Sequence, residues 1–339
     1  MWIDLLITLL KIGFILFVTV GFFAPVLTWV ERKQSAIMQD RIGANRADIL
    51  GFTVLGLFHT VADGIKMFTK EDFIPQGANK VLHTLSPIVA LIPAILTFAV
   101  VPFGGEYLLF GKEVKLVISD LDVGLLFVFA IASIATYGYV IAGWSSNNNW
   151  SLLGSMRTAS QMISYEVTMG LTIIGVLMVY GSMKLTEIGA AQESFLHWGI
   201  FLQPLGFFMF LAASIAENKR IPFDNPEAES ELVAGYFTEY SGLKFGMFFM
   251  AEFIEMVTIA AIVTILFFGA WHIPFVSTAW LLELFDFLGT TGANLVVMLI
   301  HVGVFFAKVV FFLWLQMTIR WTLPRFRYDQ IMKLGWKIL

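Results

Sequence analysis

Ionisable side chains inside apolar runs are where this chain could do chemistry. Glu166 stands in Ser164-Tyr165-Glu166, and Glu217 closes an apolar run. Glu252 and Glu255 lie three residues apart in another run, so on a helix they share a face. Lys308 stands inside the last run. Charge is expensive in hydrocarbon, so such residues face a bundle interior or a watered path and mark ion or proton routes. A series of carboxyls that can take up and release protons is a candidate relay. For Glu255 and Lys308 the competing reading is structural, as glue between helices or as a snorkelling end.

The segment from Ala216 to Glu231 is the most informative. Glu217, Asp224, Glu227, Glu229 and Glu231 crowd into it, and Glu239 follows. Pro222 and Pro226 forbid a continuous helix there. A plain solvated acidic loop is the bland alternative. Phe223, Leu232, Val233, Tyr236 and Phe237 are mixed among the carboxylates, which points to a loop folded against something.

Several chemistries fall away. Cysteine is absent, which removes disulfides, thiolate metal sites, iron–sulfur ligation and thiol nucleophiles. No glycine-rich dinucleotide or phosphate loop pattern occurs. His301 alone is clearly mid-span, whereas His59, His83, His197 and His272 fall near span ends or outside. A bis-histidine haem needs two at matching depth, so a passive haem or anchor subunit is disfavoured.

The elements that must position these residues follow from solvent. Of 339 residues, 58% are hydrophobic and 14% charged, with net charge −4 and mean hydropathy +0.81. Soluble domains carry about 25% charged residues, so this chain lacks a polar skin and its surface must face lipid. A bilayer core takes about 20 apolar residues as helix. Seven spans are expected, at about 5–30, 82–103, 121–144, 161–181, 196–217, 246–270 and 294–318. The N-terminus opens straight into an apolar helix and reads as a retained first span rather than a removed signal peptide. No linker or repeat interrupts 1–339, so one integral membrane domain is expected.

Outside Lys11 and Lys308, the basic residues split sixteen to three between alternate loops, the three being Lys112, Lys115 and Lys184. The positive-inside rule then places the N-terminus outside and the tail inside. Residues 52–68 carry Phe58, Val61, Ala62, Ile65 and Phe68 on one helical stripe and His59, Asp63 and Lys66 on another. That pattern is an amphipathic helix lying at the cytoplasmic surface. A second short one is expected near 279–288, on the outer side.

Specific motifs then accumulate in order. They are Glu31-Arg32-Lys33, Arg41-Ile42-Gly43-Ala44-Asn45-Arg46, Ala62-Asp63-Gly64-Ile65-Lys66, Lys70-Glu71-Asp72, Gly143-Trp144 and Ser164-Tyr165-Glu166-Val167. Next come Pro222-Phe223-Asp224, the run Glu227 through Tyr236, Thr238-Glu239-Tyr240, Ala251-Glu252 and Arg325-Phe326-Arg327-Tyr328-Asp329-Gln330. From about Trp29 to Lys337 the chain resembles the quinone-site membrane subunit, the H subunit, of proton-pumping NADH:quinone oxidoreductase, respiratory complex I. It departs from the family's usual pattern at Ala44 (usually proline), His59 (usually glutamine) and Asn225 (commonly leucine). The family ordinarily carries an eighth span after the Asp329 motif, and none is expected before Leu339.

The resemblance implies an all-α polytopic bundle in which the second to sixth spans, about 80–270, form an antiporter-like five-helix half. It implies a multi-pass protein of the bacterial inner membrane. It implies a subunit that forms the channel by which quinone reaches the terminal iron–sulfur cluster of a neighbour, and that couples quinone reduction to proton translocation. By analogy Arg41, Asp63, Phe223, Asp224 and Glu227 line the quinone channel. Glu166, Glu217, Glu229, Glu231, Glu239 and Glu252 form the charged path toward antiporter-like subunits. Quinone is then a substrate. FMN and Fe–S clusters belong to partner subunits, and this chain itself binds no metal, flavin or nucleotide. The rival readings are the membrane subunit of a membrane-bound hydrogenase and a stand-alone proton or cation transporter.

Overall fold

The computed structural model describes residues 2–109 and 111–339. An N-terminal rod runs from α1 (Trp2–Leu16) through a π-helical stretch (Phe17–Phe23) into α2 (Ala24–Met38). Pro25 explains the wide turn: its ring obstructs the normal ladder, and the Ala24 N–H bonds Thr19 O, five residues back, instead. Next come α3 (Phe58–Thr69), α4 (Lys80–Thr97) and a small antiparallel hairpin of β1 (Glu106–Leu109) and β2 (Lys112–Lys115). Helices α5 (Gly124–Ser145), α6 (Asn149–Tyr180), α7 (Leu185–Ala191), α8 (Gly199–Leu202) and α9 (Pro204–Glu217) follow. The chain continues through α10 (Glu229–Leu232), α11 (Gly242–Phe267), α12 (Thr278–Leu284), α13 (Gly289–Thr322) and α14 (Tyr328–Lys337).

Among the described residues, six helices are long and apolar enough to cross a membrane: Asp4–Met38, Lys80–Val100, Gly124–Ser145, Asn149–Tyr180, Gly242–Phe267 and Asp286–Thr322. The chain is an all-α polytopic membrane protein, as its composition requires. Helix α11 is the hub. Val257, Ala260, Ala261, Val263, Ile265, Leu266 and Phe267 are fully buried there, and α11 packs against α3, α4, α7, α9 and α13. Leucines, phenylalanines and valines left outward on α1, α6 and α13 stay exposed, as lipid-facing surface should.

Two expected spans differ in detail. The run 196–217 breaks into a 3₁₀ turn (Phe195–His197), α8 and α9. Pro204 drives Gln203 out of helical geometry, to φ −140° and ψ 63°. Fourteen residues of α9 span only about 21 Å at 1.5 Å per residue. The run 161–181 instead begins early, at Asn149, because the Asn148 side chain caps Trp150 N. Ser151, Ser155 and Thr158 then pack in the interior, so Arg157 lies on a helix rather than in a loop.

The amphipathic segments are present as α3 and α12. On α3 Asp63 pairs with Arg32 of α2 at 2.6 Å, while Lys66 of the polar stripe and Val61, Ile65 and Phe68 of the apolar stripe are exposed. The hairpin and α14 were not expected from periodicity.

Candidate functional site

The loop 218–241 does not float. Gln161 of α6, fully buried, donates its amide to Ala216 O at 2.7 Å and to Phe223 O at 2.8 Å, clamping both sides of the bend. Phe326 N bonds Pro222 O at 3.0 Å, and Phe223 packs between the rings of Tyr165 and Phe326, each 5.6 Å away. Tyr165 in turn donates to Ile331 O at 2.8 Å, which ties α14 to the same place. Gly235 is required by close approach: at φ 60° an added Cβ would lie 2.0 Å from Pro226 O.

Folded this way, the loop delivers charges into the bundle. At its outer end Asp224 pairs with Arg325 at 2.8 Å. Arg320 of α13 reaches Glu31 of α2 at 2.5 Å, and Glu31 also lies 3.7 Å from Arg220. Arg220 lies 3.3 Å from Glu252 of α11 and stacks 4.8 Å from the Phe253 ring. The Tyr236 phenol donates to Glu252 at 2.5 Å and also reaches Glu227 at 3.0 Å. Two carboxyls therefore share one phenol with an arginine alongside. Burial, then the charge of Glu252, push the Glu227 carboxyl well above the ordinary range. Burial also raises Asp224, and Arg325 opposes that only in part. Burial and the same carboxylates raise the Tyr236 phenol, so it remains a donor.

Deeper, Tyr139 of α5 donates to Glu255 at 3.2 Å and meets Tyr236 edge-on at 5.0 Å. Glu255, Glu217 and Asn218 line a cavity of about 40 Å³, with Thr97 and Thr258 among otherwise apolar walls. That holds roughly three waters at ~10–15 Å³ each. Glu166 lies beyond, hydrogen-bonded by Ser133 of α5. A nearly continuous line of ionisable groups thus runs from Asp224 at the loop surface, through Arg320, Glu31, Arg220 and Glu252, to Glu217 and Glu166 in the bundle.

The residues expected to carry function are distributed as follows. Glu166, Glu217, Glu227, Glu252 and Asp224 belong to this line. Phe223 is 5% exposed and packed as an anchor beside it. Asp63 joins it at one remove, because its partner Arg32 adjoins Glu31 in α2. Arg41 is exposed and bonds Gln39 at 2.7 Å. Glu229 is exposed, Glu231 pairs with Arg157 at the surface at 2.6 Å, and Glu239 accepts from Asn148 at 2.7 Å. Those three carboxylates sit outside the buried line.

Sequence reasoning passed over Arg220 and Arg320, which weighed only as charges for orientation, gave Arg325 a place in a motif but no role, and missed Tyr139, which carried no polar signal in an apolar run. Lys308 resolves as glue. Its ammonium donates to Phe268 O at 2.7 Å, Ala270 O at 3.1 Å and His272 O at 2.6 Å. It caps the carbonyl end of α11, where a cation is favoured. A separate cavity of about 300 Å³ holds His272, His301, Tyr107 and Glu193, and burial lowers His272 to about 4.

A family model described as NADH dehydrogenase matches residues 10–339. An H subunit of the NADH-quinone oxidoreductase of Geobacter metallireducens, the one numbered 1, is 48% identical over 337 residues, 99% of this chain and 93% of that protein. The corresponding H subunit, also numbered 1, of the NADH-quinone oxidoreductase of Cytophaga hutchinsonii is 46% identical over 313 residues, covering 92% and 86%. The H subunit of the Flavobacterium johnsoniae NADH-quinone oxidoreductase is 43% identical over 325 residues, covering 96% and 89%.

Proposed function

The chain belongs to the family of H subunits of NADH-quinone oxidoreductase, and from that premise we propose that it is the membrane subunit that admits quinone and converts its reduction into proton movement. It works in a multisubunit complex of the bacterial inner membrane, with the N-terminus outside and the basic loops inside. The redox centres, FMN and iron–sulfur clusters, sit in partner subunits, and antiporter-like subunits continue the membrane arm. Arg41, Asp63, Phe223, Asp224 and Glu227 serve the quinone side. Glu166, Glu217 and Glu252 carry the proton path, with Glu229, Glu231 and Glu239 at its surface.

One observation supports this above the others: the line of charges that leads from the Asp224–Arg325 pair at the loop surface through the buried Arg220–Glu252 pair toward Glu217. Quinone reduction consumes protons and transiently places negative charge near the loop. A charge there acts on each nearby carboxyl with ~1–4 kcal/mol at intermediate dielectric. The arginines Arg220 and Arg320 are shared between carboxylates or converge on the same one. A proton gained by one carboxyl therefore frees its arginine to hold another more tightly. The disturbance passes inward by exchange of partners, without the arginines leaving the protein.

The test uses the assembled complex in inverted membrane vesicles, measuring NADH:quinone reductase and proton uptake for Asp224→Asn, Glu229→Gln and Glu252→Gln. Loss of both activities in Asp224→Asn and Glu252→Gln is expected. Full activity and full pumping in all three would remove the proposal.

A further inference from the structure

Lys308 and Lys219 both point their ammonium groups inward, and they are held in opposite ways. Lys308 is saturated by three carbonyls. Lys219 is 1% exposed, and its Nζ has no hydrogen-bond partner and no carboxylate within ion-pair distance among the described residues. Its ammonium rests 3.4 Å from the centre of the Tyr139 ring and 5.8 Å from that of Tyr236. A cation over an aromatic face is attracted by the ring quadrupole. That attraction is well short of the hydration it gives up.

Its position is specific. The line of charges has a break between the cluster of Glu252, Glu227 and Tyr236 and the chamber of Glu255 and Glu217, where no hydrogen bond or ion pair crosses among the described residues. Across that break the hydrogen-bonded groups are Tyr236, which serves Glu252, and Tyr139, which serves Glu255. The phenols meet ring to ring, not oxygen to oxygen. Lys219 lies at this junction, against the rings of Tyr139 and Tyr236, whose phenols serve Glu255 and Glu252. The backbone is arranged to put it there: Lys219 is left-handed, φ 54°. A non-glycine residue held so marks a position fixed by its surroundings, and such strain gathers at functional sites.

We propose that Lys219 is a mobile countercharge that links protonation of the Glu252–Glu227 cluster to protonation of the Glu217–Glu255 chamber. The inference rests on the proton-coupling reading above and adds a positioning residue to it. Lysine suits the role: it is a point charge on a flexible four-carbon stem, whereas arginine would lock into a bidentate pair. While the Glu252 side is ionised, the ammonium is drawn to it. When that side gains a proton, the attraction falls, and the ammonium turns on its stem toward Glu255 and Glu217. Those carboxyls then release a proton more readily. No bond is made or broken at Lys219; the protons stay on carboxyls, phenols and water.

The experiment uses the assembled complex in vesicles with Lys219→Met, which keeps length and loses charge, beside Glu217→Gln and Glu252→Gln. Ferricyanide reduction by NADH reports the integrity of the redox arm. Proton uptake reports coupling. Infrared difference spectra on NADH addition report carboxyl protonation. With Lys219→Met, ferricyanide reduction stays at the parental level and proton uptake falls at least tenfold. The carboxyl bands that Glu217→Gln removes are already missing, and Lys219→Arg restores part of the uptake. Parental uptake in Lys219→Met, or a Glu217 band that still responds, overturns the role of Lys219 while leaving the wider reading intact. Parental uptake in Glu252→Gln and Glu217→Gln instead removes the wider reading. If Lys219→Met fails to assemble, Lys219→Gln takes its place. Failure of both to assemble marks Lys219 as a structural cation and overturns the proposal.

Discussion

Arg220 lies 3.3 Å from Glu252 with their side chains only 8% and 3% exposed, so one loop residue and one mid-helix residue neutralise each other inside the bundle. Glu31 shares the same guanidinium at 3.7 Å. Removing one member of a buried pair strands the other, which costs about 3–5 kcal/mol. Arg220→Met should therefore lower the amount of assembled complex in membranes severalfold. Arg220→Lys, which keeps charge but loses the fork, should assemble and pump at a reduced rate. Blue-native electrophoresis of solubilised membranes measures the first, and vesicle acidification the second.

Tyr236 bridges two carboxyls. Tyr236→Phe keeps the ring contacts with Tyr139 and Phe248 but deletes the donor. The orphaned acceptors cost about 1–3 kcal/mol, so thermal stability should fall modestly. Proton uptake should fall more than the melting temperature suggests. Equal wild-type uptake in Tyr236→Phe vesicles would argue that the phenol only packs.

The raised affinity of Glu227 for its proton has a sign that can be checked. Burial favours its neutral form, so the folded protein holds a proton where an ordinary carboxyl, at 4.5, has lost it. Ionising it costs more in the folded than in the unfolded state. Stability is then fullest below about 4.5 and declines as pH rises toward the raised folded value. Glu227→Gln, a permanent neutral mimic, should flatten that decline in detergent-solubilised complex followed by thermal shift between pH 5 and 8. It should also remove a protonated-carboxyl infrared band at neutral pH.

Gly235 supports the whole loop. Since an added Cβ would lie 2.0 Å from Pro226 O and 3.0 Å from Pro226 C, Gly235→Ala must shift the backbone. A left-handed φ adds about 1 kcal/mol of its own for a residue with a side chain. Quinone reductase should drop at least tenfold, while Gly170→Ala, where an added Cβ meets nothing within 4 Å, should behave as wild type.

Lys308 should separate stability from transport. Three charge-assisted bonds to the α11 end are each of order 1.5–3 kcal/mol. Lys308→Met should lower the unfolding temperature markedly, while the complexes that do assemble pump protons at the parental ratio to NADH oxidised. A normal melting temperature with lost pumping would reverse that assignment.

What the sequence by itself determined is the solvent of each segment and the family to which the chain belongs. Apolar runs too long for a soluble core named the spans, and carboxyls placed where charge is costly marked Glu166, Glu217 and Glu252. The motifs around Asp224 and Glu227 carried the family resemblance. What only the tertiary structure decided is which charges meet. Arg220 and Arg320 stand a hundred residues apart and converge on Glu31 because the loop 218–241 folds inward under the clamp of Gln161. Glu229 and Glu231, spaced much like Glu227 in the sequence, are left at the surface. Helical periodicity reports which face of one segment avoids water. It is silent on pairings between segments, because Coulomb attraction depends on distances that a chain acquires only when its helices pack.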